Sequence, residues 1–173
     1  NNHHVPIDRL INPEQVVTEQ ITELLSHPGA LEVLDFADGR VQLVAMRAYL
    51  GGPLVGQALR FLSEHMPGVD TRVAAIFRRG QPIIPSGDTV IETDDEVFFI
   101  AAREHITAVM GELRKAEKPF RRIIIAGGGN IGARLAAATE DSYDVRIMEL
   151  NPQRAQRLAN QLNAAVVIQG SAT

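Results

Sequence analysis

The sequence predicts an α/β chain in which a small α+β lobe precedes a parallel β-α-β-α-β unit. Three observations carry that prediction. Short apolar runs punctuated by Gly, Pro and Asp fill residues 30 to 101, the pattern of paired strands. From residue 122 onward, apolar runs alternate instead with helix-period segments, as a parallel sheet with crossover helices requires. Gly127-Gly128-Gly129-Asn130-Ile131-Gly132 stands at the joint between the first of those runs and the first of those helices.

Residues 13 to 26 are expected to be helical. Asn12 suits the N-cap, Pro13 the first helical position, and Gln15 the place where a capping box needs a Gln or Glu. Val16, Val17, Ile21, Leu24 and Leu25 form its expected apolar stripe, and His27-Pro28-Gly29 ends it. A helix this short is marginal alone in water, so it must pack on something.

Strands are expected over 30–36 and 40–48, joined by a hairpin at Ala37-Asp38-Gly39. Val55, Leu59 and Leu62 fit a short helix that stops before Pro67-Gly68. A strand over 72–77 leads to a turn at Arg78-Arg79-Gly80, read as a solvated tip. Ile83-Ile84 and Thr89-Val90-Ile91 are expected to flank another turn. Asp94-Asp95-Glu96 reads as a turn ahead of a buried strand over 96–101. A helix over 104–114 follows, with Ile106, Val109, Met110 and Leu113 on one side.

After a charged linker, Arg114 to Pro119, the parallel unit begins. Its strands are expected at 122–126, 144–150 and 165–168. The first helix spans 130 to about 140, with Ile131, Leu135 and Ala138 inward. The second is capped by Asn151, opens with Pro152 and turns Ala155, Leu158, Ala159 and Leu162 inward.

The glycine run matches G-x-G-x-x-G in the context that gives the pattern meaning, after a strand and at the start of a helix. Gly127 permits the tight turn. Gly129 leaves the backbone accessible to a pyrophosphate, and Gly132 allows close helix packing. The helix start at Asn130 and Ile131 then offers backbone N–H groups to phosphate. Glu149 lies 20 residues after Gly129, at the end of the second strand, where an acidic residue meets ribose hydroxyls and repels a 2′-phosphate. The unit is therefore Rossmann-like, with NAD or an adenine nucleotide favoured over NADP.

Other chemistry is weakly signalled. Cysteine is absent, which excludes disulfides and thiolate metal sites. The five histidines are scattered without metal-ligand spacing, and no Ser or His sits in a nucleophile motif, so no catalytic and no metal residue is expected. A net charge of −4 without a basic run argues against nucleic acid as a partner. No apolar run reaches the ~18 residues that a membrane span needs.

Residues beyond the glycines carry a resemblance. Val5-Pro6-Ile7-Asp8, Asn12-Pro13-Glu14-Gln15, Gly51-Gly52-Pro53-Leu54, 71–78 (TRVAAIFR), 95–101 (DEVFFIA) and 127–133 (GGGNIGA) are similar to the regulatory subunits of Trk-type potassium uptake, in the regulator-of-potassium-conductance family. The resemblance implies tandem Rossmann-like units, each followed by a small lobe. Residues 1–28 would then end a first Rossmann-like unit, 30–114 would be its small lobe, and 119–173 would begin a second unit. It implies an internal piece of a longer protein, and a homo-oligomer that meets a membrane potassium transporter from the cytoplasmic side, peripheral to the membrane. It implies NAD(H) or ATP/ADP as ligand, with Gly127, Gly129, Gly132 and Glu149 at the family's nucleotide positions. It implies regulation rather than catalysis, against the alternative of an NAD-dependent oxidoreductase fragment. Gly170-Ser171-Ala172-Thr173 departs from the Gly-Asp-Ala-Ser/Thr turn frequent in the family.

Overall fold

The computed structural model describes residues 11–114 and 120–171. The features noted at Asn1 to Asp8, most of the charged linker, and Ala172-Thr173 lie outside them. The described chain divides into two compact units, one holding residues 26–114 and the other combining 11–25 with 120–171.

In the first unit, β1 (Ala30–Phe36), β2 (Val41–Arg47), β3 (Thr71–Arg78), β4 (Gln81–Ile83) and β5 (Glu96–Ala102) form one antiparallel sheet in the order β1-β2-β5-β3-β4. Ala37, Asp38 and Gly39 all take positive φ in the β1–β2 hairpin, as do Arg79 and Gly80 in the β3–β4 turn. Val44 lies opposite Phe99, and Met46 opposite Val97, in the centre of the sheet. All four are buried. After a short 3-10 turn, the helix Ile106–Leu113 buries Ile106, Val109, Met110 and Leu113, the four positions its periodicity selected.

That helix, designated α3 after α1 (Pro13–Ser26) and the single turn α2 (Leu62–His65), ends against a loop. Tyr49 N–H donates to the Leu113 carbonyl and Leu54 N–H to the Glu112 carbonyl, which satisfies two groups that a helix C-terminus leaves open. Gly52 permits the approach, because a Cβ there would crowd the Leu113 carbonyl.

Two local expectations change. The helix expected from Val55 is only a 3-10 turn at Leu59–Phe61 followed by α2, because Val55 and Ala58 form isolated bridges with Ile91 and Val90. The turn expected between residues 83–84 and 89–91 forms, with Thr89 N–H donating to the Ser86 carbonyl at 3.0 Å, and Val90 and Ile91 then enter those bridges. Arg78 is not a solvated tip. Its Nε and Nη2 donate to the two carboxylate oxygens of buried Asp95, each at 2.8 Å, and Nη1 donates to Glu92 at 2.6 Å. Arg79 and Gly80 are the exposed residues of that turn.

The second unit contains β6 (Arg122–Ala126), α4 (Asn130–Thr139), β7 (Asp144–Glu149), α5 (Pro152–Gln161) and β8 (Val166–Gln169). Its strands are parallel in the order β6-β7-β8. The chain is α/β, a partial Rossmann-like unit preceded by a small α+β lobe. One sheet face is covered, with Ile125, Val145 and Ile147 packed on Leu135, Ala136 and Leu158. On the other strand positions, Ile124 and Val166 stay exposed.

Helix α1 joins this unit through Ile21 and Leu25, which pack against the same core. Thr18 is its one fully buried residue, while Val16 and Val17 remain largely exposed. The packed face thus runs Thr18-Ile21-Leu25, rotated from the expected stripe. Asn12 caps α1 by accepting from Glu14 and Gln15 N–H groups, but the Gln15 side chain donates to Glu19 rather than closing the capping box. In α4 the buried residues are Leu135, Ala136 and Thr139, whereas Ile131 and Ala138 are exposed. Thr139 tolerates burial because its hydroxyl donates to the Leu135 carbonyl at 2.6 Å. In α5 Ala155 and Leu158 are buried and Leu162 partly so, but Ala159 faces outward.

Glu140 pins the entry to β8. One carboxylate oxygen accepts from the N–H groups of Asn163, Ala164 and Ala165 at 2.8–2.9 Å. These bonds, those of Ala164 and Ala165 foremost, hold its pKa below the ordinary 4.5. A folded-state pKa that is depressed gives stability at pH above the unfolded value, lost as pH falls through the folded one. Thermal unfolding of the chain between pH 7 and pH 3 should therefore show a fall in Tm below about pH 4.5. Glu140→Gln should lower Tm at pH 7 and flatten that acid limb.

Candidate functional site

The glycine turn is built between the end of β6 and the start of α4. Gly127 has φ +104°, a conformation that disfavours any side chain. Its N–H donates to the Met148 carbonyl of β7 at 2.8 Å, so the turn leaves the sheet from a fixed point. Gly129 is the N-cap of α4. A Cβ on Gly129 would meet no protein atom within 4 Å, so the ground before it is open. Gly132 shows the opposite geometry, since a Cβ there would overlap the Gly127 carbonyl oxygen. Lacking one, α4 comes down tightly on the turn.

The first-turn N–H groups of α4 have no intrahelical acceptor. They face the open side with the positive end of the helix dipole behind them. The sequence offered Gly127, Gly129, Asn130, Ile131, Gly132 and Glu149 as the candidate set, and the structure brings all six to one end of the sheet.

Glu149 is buried, only 5% exposed, at the end of β7. Its two carboxylate oxygens divide their work. Oε2 accepts from Gly128 N–H at 2.8 Å, and Oε1 accepts from Asn151 N–H at 2.7 Å. The Arg154 guanidinium lies 3.6 Å from Oε1. The Asn151 and Gly128 N–H bonds, in that order, hold the Glu149 pKa below its ordinary value, so the group stays ionised at neutral pH. Asn151 in turn caps α5 by accepting from Arg154 N–H at 3.0 Å. One carboxylate therefore ties the glycine turn to the start of the next helix. Each oxygen keeps lone-pair capacity for a further donor.

Two participants escaped the sequence reading. Asn130 Nδ2 donates to Glu14 Oε1 at 2.8 Å, and Arg134 Nε lies 3.8 Å from Glu14 Oε2. The first turn of α1 thus meets the first turns of α4. No local pattern announces a pair separated by 116 positions. Among the described residues there is no group of three or more His, Cys, Asp or Glu able to hold a metal, and no helix long and apolar enough to cross a membrane.

A glycine-rich turn at a helix start and an acid at the next strand end, in a parallel β-α-β-α-β unit, define a Rossmann-like domain. Solved structures share the fold. The GsuK RCK domain matches with a TM-score of 0.51 at 17% identity, covering 92% of this chain and 34% of that one. The GsuK channel matches equally at 16% identity, covering 92% and 28%.

Residues 43–114 match the TrkA-C domain and residues 123–173 the TrkA-N domain. The chain belongs to the TrkA family of Trk potassium-uptake proteins. It is 64% identical to the Trk system potassium uptake protein TrkA of Halomonas elongata, over 98% of this chain and 37% of that protein. Its counterparts in Vibrio alginolyticus and Haemophilus influenzae are 57% and 48% identical, over 97% and 100% of this chain and 37% and 38% of theirs. The chain thus spans well under half the length of these relatives. All three are named for a transport system and none as an enzyme.

Because Glu149 braces the turn from within, Glu149→Ala leaves the Gly128 and Asn151 N–H groups without their acceptor. Amide hydrogen exchange at both positions should speed up, with β8 unaffected. Unchanged exchange at Gly128 would show that the carboxylate does not hold the turn.

Proposed function

We propose that the chain is the nucleotide-sensing part of a regulatory subunit for potassium uptake, with NAD(H) or ATP/ADP as ligand. The observation that carries the reading is the open ground before Gly129, set between the free N–H groups of α4 and the Glu149 carboxylate. A diphosphate fits the first of these by charge and by backbone donors. A ribose fits the second, because the carboxylate oxygens have capacity left and the group is anionic. The cradle is one that a single Cβ at Gly129 would begin to fill, which is the test of fit that the turn offers.

Gly127, Gly129, Asn130, Ile131 and Gly132 take the phosphates in this reading, and Glu149 takes the adenosine ribose. The negative charge of Glu149 disfavours a 2′-phosphate, so NAD is preferred over NADP. Regulation is supported by the relatives' names, which place them in a transport system. The ligand changes the energy of the domain rather than undergoing chemistry. The partner is a membrane potassium transporter, met by a homo-oligomer on the cytoplasmic face of the membrane. The residue ranges 1–28, 30–114 and 119–173 are, in the same reading, the end of one Rossmann-like unit, its small lobe and the start of the next.

Titration of the chain with NAD, NADH, ATP and ADP, followed by calorimetry and by amide NMR shifts, tests the site. Binding should move the resonances of residues 127–132. Gly129→Val should abolish those shifts while leaving the spectrum of the antiparallel unit unchanged. Glu149→Ala should weaken NAD by about tenfold or more, the scale of a lost charge-assisted hydrogen bond, and should narrow the gap between NAD and NADP. Parent protein that binds NADP as well as NAD would overturn the role given to Glu149.

A further inference from the structure

Two helices begin at the same place. Helix α1 starts at Pro13 and α4 at Asn130, and the Glu14 carboxylate is hydrogen-bonded to Asn130, the first residue of α4. An anion is favoured beside each helix start. Glu14 is held there by its own backbone. Asn12 Oδ1 accepts from its N–H at 3.1 Å, and Thr18 Oγ1 donates to its carbonyl at 2.8 Å.

Its carboxylate engages two donors. Asn130 and Arg134 are four residues apart, so they share one face of α4. The carboxylate accepts from Asn130 Nδ2 at 2.8 Å and stands 3.8 Å from Arg134 Nε. Asn130 lies inside the glycine motif, and Arg134 is the cation one turn beyond it. Both could otherwise turn toward a phosphate at the helix start. Glu14 therefore takes up the side-chain donors nearest the phosphate position and sets a like charge beside it.

We infer that Glu14 is an affinity-setting residue for anionic ligands at the glycine turn, an internal carboxylate that competes with phosphate for the front of α4. The inference rests on the reading of the turn as a phosphate site. It adds that affinity there is held down from α1, through Asn130 and Arg134. Anything that shifts the first turn of α1 would release both donors and strengthen binding.

The test uses the full chain, with inorganic pyrophosphate and NAD as separate probes, in low salt and in 0.5 M salt. Glu14→Gln keeps a hydrogen-bond acceptor for Asn130 and removes the charge. It should tighten pyrophosphate binding about 3- to 10-fold at low salt, the scale of one nearby charge at a protein surface, and by less at high salt because of screening. Adding Arg134→Ala to that variant should remove part of the gain. Thermal unfolding and amide spectra serve as folding controls.

Equal or weaker pyrophosphate binding by folded Glu14→Gln would overturn the inference. A gain for pyrophosphate without one for NAD would leave the role of Glu14 standing and overturn the assignment of NAD. Failure of both probes to bind, in parent and variant alike, would overturn the phosphate reading itself, and the role of Glu14 with it.

Discussion

The Glu149 carboxylate is the contact on which the candidate-site end of the second unit depends. It sits where β7 stops, and its two oxygens hold backbone N–H groups that belong to different connections. Gly128 is in the turn that follows β6, and Asn151 is the cap that starts α5. Without a shared acceptor, two donors would lie buried or half-buried without partners, at a cost comparable to the whole net gain from several hydrogen bonds. The same group that gives the site negative charge thus also fixes its shape. Under the proposed reading, a residue with both duties cannot change its hydrogen bonding to a ligand without touching the turn proposed to receive the phosphate.

The two units reach order by different means. The antiparallel unit is closed by apolar pairs across β2, β5 and β3, with α3 laid over them, and by a charged network at one edge. Asp95 is buried there but fully used, since it accepts from Arg78 and from the Glu92 N–H. Its presence between polar neighbours, Asp94 and Glu96, hides its burial from any reading of composition. The parallel unit relies instead on acids that receive backbone donors. Glu140 collects three N–H groups at the start of β8, and Glu149 collects two at the end of β7. Both sit where the chain changes direction and strand pairing has stopped supplying acceptors.

Much of this was legible in the sequence because it depends on local spacing. The glycine run, the apolar strand before it and the acid after the second strand each follow from a rule about one short stretch. The cap at Asn151 is equally local. What could not be read depends on which element lies opposite. Apolar character alone puts the stripe of α1 on Val16, Val17, Ile21, Leu24 and Leu25. The partner surface selects Thr18, Ile21 and Leu25. Likewise α4 turns Ala136 and Thr139 inward instead of Ile131 and Ala138, since the helix is seated by the contact of Gly132 with the turn. Val55 reads as a helix start, yet Val55 and Ala58 form isolated bridges with Ile91 and Val90 across a long separation in sequence. The sequence marks Glu149 as an acid at the end of the second strand, but its hold on Gly128 is a contact between two loops that no single stretch of chain contains.

The membership of α1 has a consequence for the order in which the chain folds. Its unit is discontinuous, with residues 11–25 at one end and 120–171 at the other of an intervening lobe. Bringing α1 to its core from an open chain would close a loop of roughly ninety residues, an entropic cost of about 4 kcal/mol from chain length alone. The lobe relieves that cost if it folds first. Its own two ends are already neighbours, since Gly29 packs against the Arg114 guanidinium so tightly that a side chain at Gly29 would collide with it. A folded lobe therefore acts as a short bracket in place of a long loop. The antiparallel unit is then the scaffold of assembly, and the docking of α1 is a late, nearly local step that a slow or damaged lobe would withhold.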